Sequence, residues 1–363
     1  MECDTRKQLQ RELEAIGQPD EQAMEASRKH WDRIAKPLKG LGRLEEMITA
    51  IAGIQGQEEV VLEKKAVVVL CSDNGVVEEG VTQTDNQVTA IVAENFAKGI
   101  ASVNRMADLA HADVIPVDIG VARDLTEPGV LRRKIAYGTR NLAKEPAMSE
   151  EEAIRAICIG MDLVRECRSQ GYRLLATGEM GIGNTTTSSA IAAVLLGLPA
   201  EQVTGKGAGL SREGIRHKAE VIRAAIALHQ PDRQDVLSVL AALGGFDIAG
   251  MVGLFLGGAR FGVPVIIDGM ISSVAALIAA WLCPAAVSYM LPSHMSKEPS
   301  SRMIMDELGL KPVIHGDLAL GEGTGAVLLF PMLDMAYAVY RENSTFEKIQ
   351  VEAYQSFDEE ETL

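Results

Sequence analysis

Apolar residues fall at two different spacings along this chain. Up to about residue 60 the sequence is rich in charge, and apolar positions recur every three or four residues. Met47, Ile48, Ile51 and Ile54 are the clearest case, and this spacing predicts helices. The run Lys36-Pro37-Leu38-Lys39-Gly40-Leu41-Gly42-Arg43 interrupts them and reads as a loop or the start of a helix. Beyond it come short β-branched runs at 66–70, 114–119, 172–176 and 263–267, each followed by a helix-like segment. Strands alternating with helices predict an α/β fold with a mainly parallel sheet flanked by helices. Such sheets bind ligands beyond the carboxyl ends of their strands, so the loops starting at Cys71, Gly120, Thr177 and Asp268 are where a site is expected. After Gly325 the pattern is apolar to Tyr340, then polar and acidic to Leu363. This tail is expected to pack as a helix against the N-terminal helices and to end in a solvated acidic run.

One stretch, 269–293, carries no charge and is long enough to span a bilayer. Pro284 would break a helix in its interior, and the strand-like 263–268 leads straight into it, so a pair of buried helices is the expected form. With 363 residues, 47% hydrophobic and only 4% aromatic, the chain can bury a large core of small and β-branched residues, the material of strands covered on both faces. A formal charge of −15 repels nucleic acid and anionic lipid, so any phosphate site must be built locally. Cys3, Cys71, Cys158, Cys167 and Cys283 show no CxxC spacing, and reduced structural thiols are expected rather than a disulfide framework or zinc site. The N-terminus lacks the apolar core of a signal peptide, which makes the cytoplasm the expected location.

Three glycine turns carry the candidate chemistry. Thr177-Gly178-Glu179-Met180-Gly181-Ile182-Gly183-Asn184-Thr185-Thr186-Thr187 lies between a strand and an Ala-rich helix expected at 188–196. Its glycines let backbone N–H groups approach a ligand, and the helix start adds positive dipole and hydroxyls, a combination suited to phosphate. It is neither a P-loop nor a clean dinucleotide fingerprint, since the order is GxxGxG and Glu179 opposes a pyrophosphate. A ligand-free turn capped by threonines and a nucleotide-dependent oxidoreductase site are the alternatives. Gly205-Lys206-Gly207-Ala208-Gly209 precedes Ser211, an N-cap for a helix whose apolar stripe runs through Ile215, Ala219, Ile222 and Ile226, with Lys218 on the same side. That lysine either snorkels to solvent or aims its charge at a phosphate. In Gly321-Glu322-Gly323-Thr324-Gly325, glycines let the carboxylate approach a substrate, and the apolar flanks would desolvate it towards a useful base; a merely solvated glutamate is the alternative. His294 and Ser296 resemble a nucleophile pair without an evident orienting carboxylate, so serine hydrolysis is not expected. No Asp-Asp pair is present to hold magnesium for a pyrophosphate donor, so a transferred phosphoribosyl group would come from a donor that needs no metal. A nucleotide whose leaving base is already a pyridinium meets that condition.

Taken in order, these pieces resemble the nicotinate-nucleotide:dimethylbenzimidazole phosphoribosyltransferase family, which makes α-ribazole phosphate for the lower nucleotide loop of cobalamin. The similarity runs from Lys36-Pro37-Leu38-Lys39-Gly40-Leu41-Gly42-Arg43 through Gly178-Glu179-Met180-Gly181-Ile182-Gly183-Asn184, Gly244-Gly245-Phe246-Asp247 and Ile267-Asp268-Gly269 to the Glu322 turn. It implies an α/β domain over 61–334, a small helical domain from 1–60 plus 335–363, a homodimer, and no cofactor or metal. By position, Glu322 is the expected base and Glu179 lies near the reacting ribose and acceptor. Gly181, Gly207, Lys218 and Ser296 are expected to hold the donor phosphate, with Gly183, Asn184, Thr185 and Asp268 also binding substrate. Asp73, Thr84 and Val92 are assigned to the acceptor side. The expected partners are nicotinate mononucleotide and an aromatic or heterocyclic acceptor, with no nucleic acid and no membrane. Departures fall on the acceptor side: Asp73-Asn74-Gly75 stands for the usual Asp-His-Gly, Ser300-Ser301 for Gly-His, and Thr84 and Val92 for a serine and a glutamine. They admit a related benzimidazole, a purine or a phenol as acceptor, and pairing with a paralogous subunit. A non-catalytic partner subunit is the reading from another class.

Overall fold

The computed structural model describes residues 5–355. Its elements run α1 (Arg6–Glu14), α2 (Glu21–Arg33), α3 (Arg43–Gln55), β1 (Lys65–Ser72), α4 (Gln87–Ala97), α5 (Ser102–Leu109), β2 (Ala112–Gly120), β3 (Leu131–Arg132), α6 (Glu150–Ser169) and β4 (Leu174–Met180). They continue with α7 (Asn184–Leu196), α8 (Ala200–Val203), α9 (Arg212–His229), α10 (Val236–Leu243), α11 (Phe246–Phe261), β5 (Val265–Ile267), α12 (Met270–Leu282), β6 (Met290–Pro292), α13 (Ser300–Leu308) and α14 (Thr324–Glu342).

The six strands form one sheet in the order β3-β2-β1-β4-β5-β6, and every pair is parallel. A parallel strand needs a crossover back to the starting edge, which is why helices alternate with strands and cover both faces. The period of two in β1 divides its residues between two cores. Ala66, Val68 and Leu70 join the cluster that includes α6 and α11, whereas Val67, Val69 and Cys71 join the one that includes α3 and α14. Every residue of β1 is buried, as expected for a central strand. Helix α1 packs on α6 and α11, and α3 packs on α2 and α14.

Several expectations change. The uncharged stretch 269–293 is not a helix pair: it holds α12, a 3-10 turn over Pro284–Tyr289 and the edge strand β6. Pro284 sits at the start of that turn and Cys283 before it is extended, so the proline ends the helix and the chain re-enters the sheet. Among the described residues no helix is long and apolar enough to cross a membrane. The apolar part of the tail is α14, packed against α3, but after Glu342 the chain leaves the helix and Thr345 bridges to Ile34. The acidic end expected of the tail lies outside the described residues. Cys71, Cys167 and Cys283 are buried free thiols, and Cys3 lies outside the described residues.

Helices α6 and α11 make the most extensive helix contact in the molecule, at a separation only glycine allows. A Cβ on Gly160 would lie 2.1 Å from the Gly250 carbonyl oxygen, and one on Gly253 would lie 1.9 Å from that of Ile157. Both obstacles are backbone, so a side chain there must push the helices apart. Gly253→Ala is therefore expected to cost about 3 kcal/mol, the upper range for overpacking a close-packed interior. Urea denaturation checks this, and a loss below about 1 kcal/mol would contradict the close approach.

Candidate active site

A cavity of about 200 Å³ opens beyond the carboxyl ends of β4, β5 and β6. Glu179 and Asn184 face it from the β4–α7 junction, Asp268 from the end of β5, His294 and Ser296 from the loop after β6, and Glu322 from the turn before α14. A smaller cavity of about 70 Å³ continues past Gly181 and Thr185 to Lys218 and Thr84.

The turn carrying Glu322 is held in an unusual backbone conformation. Gly321, Glu322 and Gly323 have φ of 87°, 62° and 90°, and a glutamate in that region is strained. The turn also lies directly on β4: a Cβ on Gly178 would sit 2.7 Å from the Glu322 carbonyl oxygen, and one on Gly323 2.5 Å from Val67 Cγ2. Its carboxylate is aimed by the start of α5, where the Val103 N–H donates to Oε2 at 3.0 Å. Burial raises the pKa of Glu322 above the ordinary carboxylate value, and the α5 N–H groups oppose that shift.

Glu179 is more deeply buried. Burial pushes its pKa up to about 8; the Asn184 amide opposes the shift and the charges of Asp247 and Asp268 add to it. This shift favours the protonated carboxyl group. Asn184 Nδ2 donates to Glu179 Oε2 and, at 2.9 Å, to Asp247 Oδ2, so one amide joins two buried carboxyl groups. Asp247 itself, in the first turn of α11, is raised to about 6 by burial. Helix α7 begins at Asn184 rather than at residue 188, because Gly183, at φ 95°, lets the chain turn into it earlier. This places Asn184 and Thr185 in its first turn.

Lys218 does not snorkel to solvent. It is 1% exposed, its Nζ donates to Thr185 Oγ1 at 2.7 Å, and burial lowers its pKa to about 8. Gly207, at φ 49°, points its N–H into the same recess, where it donates to Glu298 Oε1 at 3.1 Å. Gly181 is hemmed in as well: a Cβ there would lie 2.6 Å from both Asp247 Oδ2 and the Ser72 carbonyl oxygen.

His294 does have a carboxylate beside it. Burial raises the pKa of Asp268 and lowers that of His294, and each charge opposes the other's shift. Asp268 Oδ1 accepts from the Ala326 N–H at 2.9 Å, pinning the start of α14. The serine bonded to the imidazole is Ser293, not Ser296: its Oγ is 3.1 Å from His294 Nδ1 and donates to the Ile267 carbonyl at 2.6 Å. A hydroxyl committed to a strand carbonyl is not poised as a nucleophile. Ser296 Oγ instead accepts from the Glu298 N–H at 3.4 Å.

The remaining residues lie apart from this centre. Asp73 is buried beside Ala122 and lines a different cavity with Tyr137, Gly138 and Thr139. Val92 on α4 packs against the core that includes α3 and α14 and lines neither cavity of the cleft. Three contributors were not singled out from the residues themselves: Asp247, His294 as a cavity-facing group, and Glu298. An acidic residue opening the apolar helix 246–261 was the available signal for Asp247.

Glu179 has a pKa above its unfolded value, so the stability it lends is present below about pH 4.5 and is lost as pH rises through about 8. Glu179→Gln is therefore expected to lose less stability than the unsubstituted protein between pH 5 and pH 8.5. The difference between the two in chemical denaturation isolates this group, and parallel profiles would show that Glu179 is ionised in the fold.

The chain is matched by the phosphoribosyltransferase family DBI_PRT over residues 16–351. It is 45% identical over 343 residues to the nicotinate-nucleotide--dimethylbenzimidazole phosphoribosyltransferase of Acetivibrio thermocellus, covering 94% of this chain and 98% of that protein. Against the Chloroflexus aggregans protein of the same name it is 46% identical over 339 residues, covering 93% and 96%. The crystal structure of CobT from Thermus thermophilus superposes with a TM-score of 0.86 at 40% identity, covering 91% of this chain and 99% of that one. The chain belongs to the nicotinate-nucleotide--dimethylbenzimidazole phosphoribosyltransferase family, and its α/β fold and glycine turns are those of a phosphoribosyl-transferring enzyme.

Proposed function

We propose that the cleft transfers the phosphoribosyl group of nicotinate mononucleotide to 5,6-dimethylbenzimidazole or a closely related base, giving an α-ribazole-phosphate-type nucleotide and nicotinate for cobamide synthesis. The observation that carries the reading is the pairing of Glu322 with Glu179 at one end of a continuous recess and of Lys218 with the Gly207 N–H at the other. The second pair suits a phosphate dianion, and Thr185 completes a cradle for it. The first pair suits the reacting carbon.

Glu322 accepts the N–H proton of the acceptor base as the opposite ring nitrogen attacks C1′. The electrons of the breaking C1′–N bond return to the pyridinium, which departs as nicotinate. Attack from the face opposite the leaving ring inverts a β-linked donor into an α-linked product. Burial favours the protonated form of Glu179, whereas the N–H groups opening α5 favour the carboxylate of Glu322, the form that acts as base and stabilises positive charge developing on the ribose. Asn184 and the Asp268–His294 pair keep the turns on both sides of the ribose in place. The relatives named above do not favour an oxidoreductase or a non-catalytic subunit.

Incubating the purified protein with nicotinate mononucleotide and dimethylbenzimidazole is expected to release nicotinate and form the α-nucleotide, both read by mass spectrometry. Glu322→Gln is expected to lower turnover by about a hundredfold or more, the usual loss when a general base is removed. Full activity in that variant would move the base elsewhere. The same proposal includes a homodimer, expected from light scattering as twice the mass of the chain; a monomer at working concentration would remove that part.

A further inference from the structure

The cradle assigned to the donor phosphate already holds an anion of the protein's own. Glu298 Oε1 accepts the Gly207 N–H at 3.1 Å, the donor that a phosphate oxygen would need. Its other oxygen, Oε2, is buried with no hydrogen-bond partner. The charge of Glu298 reaches Lys218 and partly offsets the effect of burial on it, yet among the described residues no carboxylate stands within ion-pair distance of Lys218. Space for the carboxylate comes from Gly205, where a Cβ would lie 1.7 Å from Glu298 Oε2. Gly205 does not have a positive φ, so its lack of a side chain serves this approach and not a backbone conformation.

A half-satisfied carboxylate on a donor that a stronger anion can use is a displaceable ligand. We propose that Glu298 is an affinity-setting residue of this enzyme: in the free protein it occupies the phosphate position, and donor and product phosphates must each displace it. This rests on the phosphate assignment made above. Binding the phosphate dianion means giving up the Glu298–Gly207 hydrogen bond and bringing two like charges close together, so phosphate affinity is held down. The restraint acts equally on the donor and on the product, which carries the same phosphate. An enzyme whose product keeps the anchoring group of its substrate gains turnover when that anchor is weak, because product release is then not slow. Lys218 supplies attraction, and Glu298 returns to the Gly207 N–H when the phosphate leaves.

The test compares the unsubstituted protein with Glu298→Gln, which keeps the shape and an acceptor for Gly207 but removes the charge. Calorimetric titration with inorganic phosphate and with nicotinate mononucleotide is expected to show binding about tenfold tighter in the variant, with a lower KM for the donor and stronger inhibition by the α-nucleotide product. The KM for the acceptor base, which carries no phosphate, is expected to stay where it is. Phosphate affinity that is unchanged or weaker in a folded Glu298→Gln overturns the inference. If that variant fails to fold, Gly205→Ala decides by the same criterion, because its methyl group evicts the carboxylate and leaves Glu298 in the chain. Nicotinate release by the unsubstituted protein tests the reaction separately. An active enzyme whose variants bind phosphate no more tightly defeats only the role of Glu298, whereas an unsubstituted protein that neither turns over nor binds the mononucleotide defeats both.

Discussion

Four carboxyl groups are crowded at the carboxyl edge of the sheet, and the fold must keep them there without letting their charges push it apart. The Asn184 amide, shared between Glu179 and Asp247, is the central means. Helix starts supply the rest. The N–H groups opening α5 serve Glu322, those opening α14 serve Asp268, and Asp247 uses those of its own α11. At these three helix starts, N–H groups without a partner inside the helix meet carboxylates that need a donor. Burial also favours the uncharged form of Glu179, which lessens the repulsion further. Burial favours the protonated form of both Glu179 and Glu322, and the α5 N–H groups oppose it at Glu322, an asymmetry that supports the base role proposed for that residue.

Glycine makes such crowding sterically possible. Gly178, Gly321 and Gly323 let the Glu322 turn lie on β4 and against Glu179, and Gly325 admits the His294 ring, which a Cβ would meet 2.0 Å from Nδ1. Turns that resemble a nucleotide-binding loop in sequence therefore act first as spacers between packed polar groups. Strain at Glu322, with φ of 62°, is tolerated because β4, α5 and α14 fix the residue from three sides.

Much of this was legible in the residues. The β-branched runs located β1, β2, β4 and β5, because parallel strands buried over most of their length read as continuous apolar segments. The edge strands β3 and β6 were not legible: two residues carry no period, and Met290–Pro292 is hidden in an uncharged stretch where strand and buried helix look alike. Gly183 made the helix boundary ambiguous, since a glycine before Asn184 serves a loop and a left-handed N-cap equally well. Pairings between distant residues were beyond reach. Asp268 beside His294 and Glu298 on Gly207 join segments that only the tertiary fold brings together, and Lys218 became a buried cation only once α7 was packed against α9.

The account stands or falls on where the donor sits. A crystal structure of the protein with nicotinate mononucleotide tests this directly. The account predicts the phosphate on the Gly207 N–H, Thr185 and Lys218, with C1′ beside Glu322 and Glu179. Phosphate bound elsewhere, for instance in the cavity between Asp73 and Tyr137, or a ribose out of reach of Glu322, would contradict it.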